Sequence, residues 1–361
     1  MALDRISITD FRNHAATALD DTARFNLLVG ANGAGKTNVL EALSLLAPGR
    51  GLRRARLPDM ARIGGPGGFA IGARLHPADG AEPVPLGTMV DPAQPTRRRV
   101  RVNGAEASAL GLSEWLSVRW LTPAMDGLFT DSAGARRRFL DRLVLAISPA
   151  HATLSNRYET ALRNRNRLLA DEVEPDPRWL DALEAQLAEH GAQLAANRRL
   201  LVERLNAALL AETDTPFPRP SLALEPVGPE EQEPLARALR DNRRTDRRAG
   251  RTLIGPHRVE LAVTLADKGV PAATASTGEQ KAMLIAIVLA HGAIAAKGRA
   301  GVLLMDEVAA HLDPDRRAAL FARLAANGEQ VWMTGTERAP FDAILAQAAV
   351  WDVSGGALQR L

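Results

Sequence analysis

Hydrophobic spacing changes character twice along the chain. "LDRISITDF" alternates apolar and polar positions and "RFNLLVG" is a short apolar run, so both read as strands. "NVLEALSLLA" switches to helical spacing, with Leu40, Leu43 and Leu46 on one face. Residues 62–105 are rich in Gly and Pro, with short alternating runs such as "FAIGARL" and "RRRVRVNG". They read as a strand-and-turn region. "WLSVRWLTP" leads out of this first lobe.

From 134 to 212 strand signals vanish and helical patterns take over. Leu180, Leu187, Leu194 and Leu201 recur at seven-residue steps, a coiled-coil-like seam that suits one helix of a compact bundle. His190 and Asn197 interrupt its second position. The Pro-rich stretch 216–234 holds one candidate strand and marks a boundary. From 250 onward strands and helices alternate again: "TLIGPHRVELAVTLAD", "GEQKAMLIAIVLAHGAIAA", "GVLLMDE", "PDRRAALFARLAA", "QVWMTGT". Such alternation predicts an α/β fold with a largely parallel sheet. The expected organisation is an N-terminal part at 1–125, a helical lobe at 126–249 and a C-terminal part at 250–361.

The chemistry sits at the strand ends. Gly30 to Thr37, "GANGAGKT", matches G-x-x-x-x-G-K-[ST] between the apolar strand "FNLLV" and a helix. Glycines there let backbone amides close around phosphates at a helix N-terminus. Lys36 adds a charge and Thr37 can ligate Mg²⁺. "GVLLMDE" is a buried strand ending in Asp306, suited to hold Mg²⁺, and Glu307 beside it is suited to polarise water as a general base. The acid pair, and the lack of an N-K-x-D guanine-reading motif, favour ATP over GTP. Ser276 and Glu279 form S-x-x-E, a capping box at the start of an apolar helix.

Composition narrows the class. Among 361 residues there is no cysteine, which excludes disulfides, zinc–thiolate sites and cysteine nucleophiles and fits a cytoplasmic protein. No long uncharged apolar stretch predicts a membrane span, and the N-terminus lacks the apolar core of a secretory signal. Net charge is only +3. Of 45 basic residues four are lysines, and arginines cluster at 97–101, 136–138, 163–167 and 243–248. Arginine forks suit phosphate, although a GC-rich genome accounts better for the composition taken alone and such charge runs are usually solvated surface.

In order, "GANGAGKTN", "STGEQ", "LLMDEVAAHLD" and "TGT", with a helical insertion after the first, resemble an ABC-type ATPase head of the SMC-related repair branch. The resemblance is greatest to the RecF family, whose opening strand and turn "ITDFRNH" resembles and whose signature "GRTLIGPHRVEL" resembles. It implies a P-loop ATPase head with an inserted helical lobe, acting as a weak, DNA-stimulated ATPase in recombinational repair. By residue, it implies that Gly30, Ala31, Asn32, Gly33, Ala34, Gly35, Lys36, Thr37 and Asn38 hold ATP, with Thr37 and Asp306 on Mg²⁺. Lys36 and Glu307 would be catalytic. Ser276, Thr277, Gly278, Glu279 and Gln280 would form the signature offered in trans to a second copy, and Asp313 the D-loop. Arg12 and Asn13 are candidate nucleotide contacts, or else an exposed turn. Partners implied are DNA bound with low sequence specificity, a second copy of the chain, and RecR- and RecO-like repair proteins.

Some positions stay open. Phe11 or His14 could stack on adenine where transporters use an aromatic; the only tyrosine is Tyr158, in the helical region. Ala124 falls where a Q-loop ligand would stand. His311 reads as a surface or seam residue and His257 as a structural hydrogen bonder. Only 240 residues separate Lys36 from Ser276, too few for a long SMC arm, and "TGT" stands where a transporter would carry a switch histidine.

Overall fold

The computed structural model describes residues 2–77, 79–212, 215–295, 299–309 and 312–361. His311 lies outside the described residues. The chain divides into two compact units: Met1–Asp126 with Asp214–Phe217 and Leu284–Leu361, and Gly127–Thr213 with Pro218–Met283.

The first unit holds two six-stranded sheets. One has the order β15-β14-β3-β13-β12-β8, built from β3 (Phe25–Val29), β8 (Leu116–Leu121), β12 (Ala300–Met305), β13 (Gln330–Gly335), β14 (Ala348–Ser354) and β15 (Ala357–Arg360). All neighbours are parallel except the terminal β14–β15 hairpin. Every residue of β3, β8 and β13 is buried, as expected for parallel strands covered on both faces. "WLSVRWL" is thus the edge strand of this sheet rather than a connector. Its apolar run is broken by Arg119, which is buried and paired with Glu329.

The other sheet is antiparallel, β2-β1-β4-β5-β6-β7, from β1 (Leu3–Phe11), β2 (His14–Leu19), β4 (Phe69–Leu75), β5 (Val84–Val90), β6 (Arg98–Val102) and β7 (Ala105–Ala107). Its strands alternate, and Leu3, Ile6, Ile8, Ile71, Leu75 and Leu86 face the core. The Gln330 side chain ties the two sheets, accepting Leu3 N–H at 3.0 Å and donating to Leu3 O at 2.7 Å.

The second unit is mainly helical: α3 (Ala133–Ile147), α4 (Ala150–Ala170), α5 (Pro177–Ala211), α6 (Gln232–Asp241) and α7 (Arg243–Ala249). The leucine seam of α5 is buried at all four positions, within the unit rather than along a free coiled coil. A small sheet β11-β10-β9 joins it, from β9 (Pro220–Glu225), β10 (Glu260–Leu265) and β11 (Val270–Pro271). Because β10 pairs along its length with β9, residues 250–283 group with the helices, and the division falls inside α8 (Thr277–Ala295) instead of at 250. Among the described residues no helix is long and apolar enough to cross a membrane.

A buried polar network fixes the loop "GRTLIGPHR". Arg165, with no exposed surface, donates to Glu184 at 3.1 Å, to Asp246 at 2.7 Å, to Thr252 Oγ1 at 2.8 Å and to Leu239 O at 2.9 Å. Arg198 donates to Pro256 O at 2.7 Å. His257 Nε2 lies 3.0 Å from Thr252 O and Nδ1 lies 2.8 Å from Tyr158 Oη, so a neutral ring donates to the carbonyl and accepts from the phenol. Burial pushes the His257 imidazole down to about 4. The unfolded chain takes up a proton below its ordinary value of 6.5 while the folded ring stays neutral, so stability present above that pH is lost as pH falls toward 4. Between pH 7 and pH 4 this costs on the order of 1–3 kcal/mol. In urea titrations across that range, His257→Gln, able to make the same two hydrogen bonds, shows a flatter dependence than the wild type.

Candidate functional site

Parallel order brings three strand ends together. β3, β13 and β12 are neighbours, so Val29, Gly335 and Met305 finish at one edge of the sheet. After Val29 the chain turns through Gly30–Gly35 into α1 (Lys36–Ser44). Gly30, Gly33 and Gly35 have φ of 153°, 81° and 117°, a region that disfavours side chains. A Cβ at Gly30 would stand 2.2 Å from Val353 O, whereas one at Gly33 would meet nothing within 4 Å. The loop therefore owes its shape partly to β14.

Lys36 is almost fully buried and curls back over the loop, donating to Gly30 O at 2.6 Å and Ala31 O at 3.0 Å. Burial lowers its pKa, and the carboxylates of Glu307 and Asp306 oppose that shift. Asp306 Oδ1 accepts from Thr37 Oγ1 and from Thr334 Oγ1, each at 2.8 Å. Thr334 Oγ1 in turn accepts the Glu307 N–H at 2.9 Å. Glu307 has a left-handed backbone, φ 52°, unusual for a non-glycine. Thr37 and Asp306 offer adjacent hard oxygen donors with one carboxylate charge. Mg²⁺, which keeps several waters and takes few protein ligands, suits such a set. Among the described residues no group of three or more His, Cys, Asp or Glu could cage a metal, and Mg²⁺ needs none.

The turn between β1 and β2 lies against this loop. Asn13 Nδ2 donates to Ala34 O at 2.9 Å, and Asn38 Nδ2 donates to Asn13 Oδ1 at 2.7 Å. Arg12 forks onto the buried Glu41 through Nε at 2.8 Å and Nη2 at 2.7 Å, and reaches Asp59 O at 2.7 Å. Arg53 adds bonds to Glu41 at 3.1 Å and Asn38 at 2.6 Å. Neither Phe11 nor His14 is free to stack on a base. Phe11 is fully buried edge-on against Phe69, and His14 is fully buried between Gly35 O and Gly356 O. Ala124 follows β8 on a short turn and carries no ligand atom.

Ser276–Gln280 opens α8 in the second unit. The capping box forms: Ser276 N–H reaches Glu279 Oε2 at 2.9 Å, and Glu279 N–H reaches Ser276 Oγ at 3.3 Å. Ser276, Thr277 and Gly278 are exposed, whereas Gln280 is buried with Nε2 on Ala275 O at 2.9 Å. Asp313 caps α9 (Pro314–Ala326), accepting Arg316 N–H at 2.9 Å. Sequence reasoning passed over Glu41 and Arg53, and gave His14 a stacking role that its burial excludes. A glutamate on the buried face of α1, among Val39, Leu40 and Leu43, was the available signal for the first.

A Gly-rich loop, a lysine, a strand-end Asp–Glu pair and this strand order define an ABC-type ATPase head carrying an inserted helical lobe. A protein-family model described as "AAA domain, putative AbiEii toxin, Type IV TA system" matches residues 25–87. "DNA replication and repair protein RecF" of Mesorhizobium japonicum is 48% identical, over 98% of this chain and 96% of its own length. The protein of that description from Brucella suis is 47% identical, over 99% and 96%. Among solved structures, the recombination mediator protein RecF described as "RecF-ATPrS in RecFOR pathway" superposes with a TM-score of 0.86 at 22% identity, covering 99% of this chain and 98% of that one. An SMC head bound to the C-winged helix domain of ScpA gives 0.55 at 17%, covering 100% and 97%. The chain belongs to the RecF family.

The loop geometry separates two glycines that look alike in sequence. Gly30→Ala drives a methyl into a backbone carbonyl and should destabilise the first unit by more than about 3 kcal/mol. Gly33→Ala meets only backbone strain and should cost about 1–2 kcal/mol. Urea denaturation of the two variants beside wild type measures the difference.

Proposed function

We propose that this protein is an ATP-dependent DNA-binding protein of recombinational repair and replication restart. Its unit of action is a head-to-tail homodimer that ATP assembles on DNA and slow hydrolysis releases. The observation that carries the reading is the convergence of Thr37 and Thr334 on Asp306 Oδ1, each at 2.8 Å, beside the buried Lys36. It sets the loop lysine and hydroxyl beside the strand-end carboxylate, the parts that P-loop phosphoryl transfer uses.

The Gly30–Asn38 segment would enfold the β- and γ-phosphates, with Lys36 exchanging its two loop carbonyls for phosphate oxygens. Arg12 and Asn13 would border the nucleotide, and Glu41 would hold Arg12 in place. Mg²⁺ held by Thr37 and Asp306 would supply charge neutralisation at the phosphates. Glu307 would take a proton from the attacking water as that oxygen bonds to the γ-phosphorus and the bond to the β–γ bridging oxygen breaks. Ser276 and Gly278 of a second copy would face the γ-phosphate, with Thr277, Glu279 and Gln280 shaping that helix end and Asp313 at the seam between copies.

DNA binding would rest on arginine–phosphate contacts, with low base specificity, a preference for junctions and gaps, and a steep loss of affinity as salt rises. RecR- and RecO-like proteins would be its partners, in the cytoplasm. A structural SMC-type role is disfavoured by the 35-residue length of α5, which spans only about 50 Å.

Light scattering with ATP, with and without DNA, tests the reading. Wild type dimerises with ATP, Ser276→Arg stays monomeric, and Glu307→Gln forms a persistent dimer without turnover. A Glu307→Gln protein that hydrolyses ATP at the wild-type rate removes the assigned base. Dimerisation by Ser276→Arg reduces Ser276–Gln280 to a helix cap.

A further inference from the structure

The start of α8 carries a charge arrangement that a helix cap does not need. Glu279 closes the capping box with one oxygen only: Oε2 accepts both the Ser276 N–H and the Ser276 hydroxyl at 2.9 Å. Its other oxygen, Oε1, accepts from Lys268 Nζ at 2.5 Å. Lys268 is one of just four lysines in a chain whose other basic residues are all arginine. It stands on the turn between β10 and β11, where Gly269 takes φ 63° and donates to Leu265 O at 2.9 Å. The path from that turn to Ser276 is tied to itself. Thr274 Oγ1 donates to Pro271 O at 2.8 Å, Ala275 N–H to Ala272 O at 3.2 Å, and Gln280 Nε2 to Ala275 O at 2.9 Å.

The Lys268 ammonium, and after it the Ser276 N–H, hold the Glu279 carboxyl down at about 2, so it is an anion at any physiological pH. A fixed anion is a poor neighbour for an incoming phosphate. Glutamine would close the same box without charge. The Ser276 hydroxyl also donates to Glu279, which keeps the carboxylate beside the serine. Lys268 is the group positioned as that carboxylate's counter-ion.

We propose that Lys268 is a positioning residue of the composite nucleotide site: by pairing with Glu279 it cancels the negative charge beside Ser276, the residue offered to the γ-phosphate of the facing copy. This rests on the reading of Ser276–Gln280 as the element offered to a second copy. A purely structural role would be small, because the pair is solvent-exposed, with side-chain exposures of 61% and 24%.

The test measures the ATP concentration giving half-maximal dimerisation, by light scattering, for wild type, Lys268→Ala, Lys268→Arg, Glu279→Gln, the Lys268→Ala/Glu279→Gln double variant and Ser276→Arg. Thermal melting of each reports on folding. Lys268→Ala should raise that concentration roughly tenfold, the loss of one charge-compensating contact. Lys268→Arg should stay near wild type. Adding Glu279→Gln to Lys268→Ala should restore dimerisation to within about twofold of wild type, since no charge is left to cancel. Wild-type behaviour by Lys268→Ala overturns the proposal, as does a double variant as weak as Lys268→Ala alone. If Ser276→Arg itself dimerises with ATP, the signature reading falls and this role falls with it. Loss of dimerisation by Ser276→Arg together with wild-type behaviour by Lys268→Ala removes only the role of Lys268.

Discussion

One carboxylate oxygen organises the head. Asp306 Oδ1 takes hydrogen bonds from Thr37 and Thr334, which come from α1 and β13, while its own backbone N–H is held by Leu121 O at the end of β8. Three segments far apart in sequence are thereby pinned to the end of β12. Such convergence requires parallel strands in the order β3-β13-β12-β8, because only then do their C-terminal ends share an edge. Fold and site are one constraint seen at two scales.

The same economy governs the turn that borders the loop. Arg12 has a left-handed backbone, φ 56°, and a side chain spent on Glu41 and Asp59 O. Asn13 bonds the loop directly. A buried carboxylate shared by two guanidinium groups is costly to desolvate and holds geometry rather than adding much net stability. The second unit repeats the device at Arg165, whose partners Glu184 and Asp246 are also buried.

Legibility in the sequence followed the range of the forces involved. The Gly-rich loop between β3 and α1, the strand ending before Asp306 and the cap at Ser276 are local patterns, and each element lies where its spacing implied. The parallel sheet was legible from alternation alone. The edge strand β8 was not, because a buried Arg119 interrupts its apolar run and its partner Glu329 is 210 residues away. The boundary at 250 marks a change from helix to strand, but strand pairing decides which unit a strand belongs to, and β10 pairs with β9. The burial of Phe11 and His14 was equally hidden, since both are enclosed by residues remote in sequence.

The closeness of Gly30 to Val353, and of His14 to Gly356, has a bearing on biosynthesis. The Gly30–Gly35 loop is made well before the β14–β15 hairpin that walls it. More than 300 residues must be made between them. Contacts that distant in sequence form late and slowly. Until β14 and β15 dock, the Gly30–Gly35 loop lacks the wall that Val353 provides.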